Sequence, residues 1–184
     1  MNPKLWQRLQ RQLAPGELRL DKSTLTAHSG DKWFVTGTPE AVALPRSAKS
    51  VSTILRFAHR HQIPVTPRGA GYGYVGGCVP VRGGIVLSTA RMHRIREINE
   101  HDFVAVIQPG VITANLQNKA EAKGLYYPPD PASRADCSLG GNIATNAGGP
   151  RSLKYGVTAA SARGLHSASP AAAPSTTLPL PPPP

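Results

Sequence analysis

Cysteine is scarce: the 184-residue chain has two, Cys78 and Cys137, far apart and with no CxxC pair. Two cysteines cannot build a disulfide framework or a typical structural zinc site. Both stand beside glycine-rich segments and read as small, reduced packing residues. Aromatic residues make up 5% of the chain, too few for a base-stacking platform. Acidic residues number 10 against 21 basic ones, for a net charge of +11. A block of lysine and arginine would mark a nucleic-acid footprint, but Lys4, Arg8, Arg11, Arg19, Lys22, Lys32, Arg46 and Lys49 are spread singly. A scattered basic face whose acidic counterpart lies in missing chain is the expectation, with no nucleic acid bound. No run approaches the ~18 apolar residues needed to cross a bilayer, so no transmembrane segment is expected. Met1 to Arg11 also lacks the apolar region of a secretory signal, and a cytoplasmic location follows.

Apolar residues at 40% are enough for a globular core. Leu5, Trp6, Leu9 and Leu13 recur at helical spacing until Pro15-Gly16 stops them. A short strand at Val42 to Leu44 precedes Ser47, which can cap a helix with Val51, Ile54, Leu55 and Ala58 on its apolar face. His59 and His61 near its end complement the helix dipole. Two residues apart, they do not face each other and make no metal pair. Ile63 to Pro67, Gly84 to Ser88, Ile95 to Ile98 and Val104 to Ile107 read as strands, and Leu116 and Ala120 as a helix closed by Gly124. Tyr126 to Tyr155 reads as loop. From Ala159 to Pro184 the chain is mostly Ala, Ser, Thr, Pro and Leu, ending in four prolines. That segment is expected to be disordered, and its character suggests a shifted reading frame.

Two glycine-rich segments carry the chemistry. Gly71-Tyr72-Gly73-Tyr74-Val75-Gly76 matches G-x-G-x-x-G and follows a strand. The dinucleotide fold needs a helix to open at that point, and Gly77-Cys78-Val79-Pro80-Val81-Arg82-Gly83-Gly84 cannot supply one. No G-x-x-x-x-G-K-[ST] is present either, which excludes a P-loop. Consecutive backbone N–H groups can still converge on an anion where glycine permits it. Gly69, Gly71, Gly73, Gly76 and Gly77, after basic Arg68, are too many liabilities for a simple turn. In the second segment, Cys137 to Pro150, small residues allow a flat ligand close, and Ser138, Asn142 and Asn146 offer hydrogen bonds.

Together, Pro67-Arg68-Gly69-Ala70-Gly71-Tyr72-Gly73, Pro128-Pro129-Asp130-Pro131, Cys137-Ser138-Leu139-Gly140-Gly141-Asn142 and Asn146-Ala147-Gly148-Gly149 resemble the FAD-binding domain of the vanillyl-alcohol-oxidase/p-cresol-methylhydroxylase class. Within it, they are most similar to the D-subunit family of glycolate oxidases, flavin-linked 2-hydroxy-acid dehydrogenases. The resemblance covers roughly Leu18 to Thr158. It implies an α+β, two-lobed FAD-binding domain that is incomplete; the apolar spacing places a helix within residues 1–17 before it, and the composition a disordered tail over 159–184 after it. It implies that Arg68, Gly69, Ala70, Gly71 and Tyr72 wrap the FAD pyrophosphate, supported by Gly76 and Gly77. Pro131, Ser138, Gly141, Asn142 and Gly148 would then lie along the ribityl chain and flavin ring. Some relatives attach flavin through a histidine of the first loop; none stands in Arg68 to Gly77, which implies non-covalent FAD. Other subunits of a glycolate-oxidase-like complex are the implied partners and would place the protein at the inner membrane periphery.

Two departures qualify the resemblance. Tyr72 stands where the family carries a small hydroxyl residue, and its phenol is expected to crowd the cofactor. The family continues past Thr158 into a substrate domain with the catalytic histidines and metal site. No catalytic residue is therefore expected in this chain, and Val104 to Ile107 is expected to expose apolar surface that missing strands would cover. The alternatives are a non-enzymatic remnant, a weak nucleotide-binding pseudoenzyme and, less favoured, a basic nucleic-acid-binding module.

Overall fold

The computed structural model describes residues 3–169 and 177–179. They form two compact units, residues 3–91 with 167–169 and residues 92–166 with 177–179.

In the first unit, α1 (Pro3–Gln10) buries Trp6 and Leu9, the positions that its apolar spacing marks. β1 (Leu18–Arg19) and α2 (Lys22–Ala27) follow, neither of them legible in the sequence; Asp21 caps α2 by accepting from the Thr24 N–H. β2 (Ala41–Ala43) leads to α3 (Ala48–Arg60), which starts where the cap requires: Ser47 Oγ accepts from Ser50 N–H at 3.1 Å. The three-four spacing on α3 sends Ile54, Phe57 and Ala58 into a core with Trp6, Leu18 and Ile85. Full burial of a side chain such as Ile54 contributes about 1.5–3 kcal/mol.

β3 (Val65–Arg68) and β4 (Ile85–Ser88) complete a four-stranded sheet in the order β1-β2-β4-β3. β2 and β3 both run parallel to β4, with Val42 beside Val86 and Pro67 beside Leu87. β3 is therefore an edge strand, which tolerates the missing N–H of Pro67. Its carboxyl end delivers the first glycine loop beyond a parallel sheet, where ligand crevices of open α/β sheets form.

The second unit opens with the antiparallel pair β5 (Ile95–Asn99) and β6 (Val104–Ile107). α4 (Thr113–Glu121), α5 (Leu139–Thr145), α6 (Ser152–Tyr155) and α7 (Thr158–Ser161) follow, and β7 (Gly164–His166) pairs with β8 (Thr177–Pro179). Val111, Leu116 and Leu139 are its core, with Ala105, Ile107 and Tyr127 packed against them. The exposure expected at residues 104–107 is thus partial. Ala105 and Ile107 face the core, whereas Val106 stays 45% exposed, as alternation along a strand dictates.

The expectation that Tyr126 to Tyr155 is loop throughout needs correction, since α5 and α6 both fall inside it. Two glycines at the start of α5 mask a helix that Ser138 caps. Within the segment expected to be a tail, residues 159–161 of α7, β7 and β8 are regular elements, and Ala159, Arg163, Gly164 and His166 are exposed. The rest of that expectation, over residues 170–176 and 180–184, lies outside the described residues.

Candidate functional site

The first glycine loop leaves β3 as turns and bends, and no helix follows before β4. Among the described residues, the backbone N–H groups of residues 69–75 donate to no protein acceptor. Gly71 and Gly76 hold φ of +80° and +73°, values that glycine adopts without strain. A Cβ at Gly71 would fall onto the Arg68 guanidinium, while at Gly73, Gly76 and Gly77 it would meet nothing within 4 Å. The loop thus keeps unused backbone donors at residues 69–75 and room beside Gly73, Gly76 and Gly77, a chemistry suited to an anionic group.

Arg68 itself points elsewhere. Its guanidinium donates to the Gly30 carbonyl and to Cys78 Sγ at 3.3 Å, so it braces the loop from within. Burial pushes the Cys78 thiol pKa up, against the opposing influence of the Arg68 charge. The same positive charge, behind burial as the larger cause, holds His28 below its ordinary range, and His28 Nδ1 sits 2.9 Å from the Thr24 carbonyl. Gly69 and Ala70 are half-buried beside Arg68. Tyr72 is half-buried too, and its ring lies under Lys32 Nζ, 4.5 Å from the centroid.

Two residues that sequence reasoning passed over secure this loop. Asp31 Oδ2 accepts the Gly76 N–H at 2.9 Å, and the Lys32 N–H donates to the Gly73 carbonyl at 3.2 Å. No local pattern links positions some forty residues apart, so no spacing could have revealed them.

In the second unit, the second segment is held by a buried polar network. Asn142 Nδ2 donates to Thr113 Oγ1 at 2.7 Å, and Thr113 Oγ1 lies 3.2 Å from Cys137 Sγ. Ser138 is buried and caps α5, accepting from Gly141 N–H at 3.4 Å. The side chains of Ser138 and Asn142, expected to reach a ligand, are thus engaged in holding the segment in place. Gly140 is glycine because of packing: a Cβ would stand 2.9 Å from the Pro109 carbonyl oxygen. Gly149 abuts the Asp130 carbonyl in the same way, bringing half-buried Pro131 next to the Gly148-Gly149 pair. Gly141 keeps a half-buried place on the first turn of α5. Thr113, which anchors Asn142, is a further residue that the sequence did not mark.

A glycine loop that leaves the carboxyl end of a parallel sheet strand without opening a helix sets this chain apart from the doubly wound dinucleotide fold. The FAD binding domain family matches residues 39–171, and the chain belongs to that family. The match runs past Thr158, where the composition shifts. The chain is 48% identical over 120 residues to glycolate oxidase subunit GlcD of Bacillus subtilis, covering 65% of this chain and 26% of that protein. It is 42% identical over 159 residues to D-2-hydroxyglutarate dehydrogenase of Stutzerimonas stutzeri, covering 85% of this chain and 34% of that one. It therefore spans about a quarter to a third of the length of these relatives. Among solved structures, alkyldihydroxyacetonephosphate synthase superposes with a TM-score of 0.84 at 26% identity, covering 92% of this chain and 33% of that one. p-Cresol methylhydroxylase superposes with a TM-score of 0.68 at 21% identity over 78% of this chain and 29% of that one. The fold is the α+β FAD-binding fold that these proteins share. Among the described residues no helix is long and apolar enough to cross a membrane.

Proposed function

We propose that this chain is the FAD-binding portion of a flavin-dependent 2-hydroxy-acid dehydrogenase of the glycolate or D-lactate type, and that it does not turn over a hydroxy acid by itself. The observation that carries the reading is the first loop itself, where residues 69–75 direct no N–H to protein and Gly73, Gly76 and Gly77 leave open space. Those N–H groups would donate to the phosphate oxygens of FAD. Gly69, Ala70, Gly71 and Tyr72 form the cradle, Gly76 and Gly77 its rim, and Arg68 its brace. Pro131, Gly141 and Gly148 would border the ribityl chain and flavin ring, on a segment that Ser138 and Asn142 hold in shape. The relatives that act on 2-hydroxy acids by name support the substrate class.

When bound, the flavin supplies hydride acceptance from the substrate α-carbon. Turnover also needs a base at the substrate hydroxyl and a clamp on its carboxylate, which on this reading lie outside the chain. His28 is turned to the Thr24 carbonyl, His61 packs on Phe57 with ring centroids 4.5 Å apart, and neither stands in a glycine loop. On this reading FAD is held without a covalent bond, for which the support is that residues 68–77 contain no histidine. Partner subunits of a glycolate-oxidase-like complex, and through them the inner membrane surface, belong to the same proposal.

The test is direct. Protein purified with FAD should carry flavin absorbance, release it on acid precipitation, and lose it in Gly71→Val, where a β-branched side chain would sit at φ +80° against Arg68. A dye-linked assay with glycolate and with D-lactate should give no turnover. Flavin retained by Gly71→Val would move the site elsewhere. Turnover by the wild type that Gly71→Val abolishes would refute the lack of activity.

A further inference from the structure

We propose that Lys32, set on the ring of Tyr72, is the cation that the first glycine loop presents to phosphate, in place of Arg68. The proposal rests on the reading of that loop as an FAD cradle and adds a residue to it.

A backbone nest offers N–H dipoles but no net charge, whereas a diphosphate is strongly anionic. The basic residue next to the loop in sequence cannot supply that charge from where it stands. Arg68 donates to the Gly30 carbonyl and to Cys78 Sγ, and turning outward would forfeit both bonds and remove the brace behind Gly71. Lys32 is the alternative that the tertiary structure provides. It is exposed, and among the described residues no carboxylate pairs with it. Its own N–H bonds the Gly73 carbonyl at 3.2 Å, and its neighbour Asp31 takes the Gly76 N–H at 2.9 Å. The segment is thus stitched to the loop at two points and keeps its register with it.

The ammonium is also directed. Lys32 Nζ lies 4.5 Å from the Tyr72 ring centroid, a cation–π contact on a side chain flanked by Gly71 and Gly73. The phenol expected to crowd the cofactor is the surface on which that lysine ammonium rests. It acts as a platform that restricts a flexible four-carbon stem to the loop's neighbourhood. Tyr72 is accordingly a positioning residue and Lys32 the binding one.

Titration of the purified chain with FAD and, separately, with riboflavin tests this, because riboflavin lacks phosphate. Lys32→Met should weaken FAD about tenfold, the size of one charge-assisted contact, leave riboflavin unchanged, and flatten the salt dependence of FAD binding. Lys32→Arg should keep most of the affinity. Tyr72→Thr should lose part of it, while Tyr72→Phe, which keeps the ring face, should not. Circular dichroism establishes that each variant is folded, with Lys32→Gln in reserve should the methionine variant unfold. Wild-type FAD affinity in the charge-deleted variant, or equal loss of FAD and riboflavin, overturns the proposal. If the wild type binds FAD independently of Lys32, only this assignment falls; if it binds no FAD, the proposed function falls with it.

Discussion

Replacing Gly73 by alanine separates a loop built for a ligand from a loop built merely to turn. Gly73 is absent from the positive-φ residues, and a Cβ there would meet nothing within 4 Å. The folded protein should therefore accept the methyl group without strain. Removing glycine's freedom from the unfolded chain at a compatible site stabilises by about 0.4–1 kcal/mol. The melting temperature of Gly73→Ala should hold or rise slightly. FAD binding should move the other way. The methyl group would stand on the open strip beside the free N–H groups of residues 69–75, displacing a phosphate oxygen from hydrogen-bond distance. Losing one or two charge-assisted hydrogen bonds at about 1.5–3 kcal/mol each corresponds to at least roughly tenfold in affinity. Thermal melts followed by circular dichroism and FAD titration followed by flavin fluorescence give the two numbers on one sample. A stable variant that binds FAD as the wild type does would refute the cradle, because space that a methyl can fill at no cost to binding is not ligand space.

Other perturbations probe the scaffold. Thr113→Val keeps the volume but strips the acceptor from the buried Asn142 amide, which should lower unfolding free energy by about 1–3 kcal/mol in a urea titration; an unchanged midpoint would mean that Asn142 finds another partner. Gly149→Ala would drive a Cβ into the Asp130 carbonyl and within 3.0 Å of Pro131 N, a backbone collision worth about 1–3 kcal/mol that a shifted denaturation midpoint should register. His28 has its pKa pushed below 6.5 chiefly by burial, so the unfolded chain takes up the proton first. Its stability contribution is complete above that value and is lost as pH falls below it. Melting temperatures measured from about pH 8 to about pH 5 should fall less steeply in His28→Gln than in the wild type; parallel curves would assign the acid sensitivity to other groups.

Local chemistry was readable wherever the causes were local. Ser47 followed by apolar residues at three-four spacing specifies α3, and the run of glycines after Pro67 marks where the backbone must be bare. The failure of G-x-G-x-x-G to open a helix was also legible, because Val79-Pro80-Val81 and the Gly83-Gly84 pair cannot continue one. α5 was not legible, since Gly140 and Gly141 lower helix propensity and the reason for Gly140 lies at Pro109, thirty-one positions earlier. Its cost is offset by the close approach of a helix to the Pro109 backbone.

The sequence by itself determined the class of this protein: a mixed chain with two glycine-rich segments suited to a phosphate-bearing flavin, in an order that resembles one family. Tertiary structure alone decided what each side chain near those segments does. Arg68 became a brace because Gly30 and Cys78 come within reach of its guanidinium. Asn142 and Ser138 became supports because Thr113 and the Gly141 N–H claim their polar atoms. Lys32 reached the loop because its backbone joins Gly73. A hydrogen bond is satisfied by whichever partner the fold brings within about 3 Å, and separations of tens of residues leave no trace in local spacing.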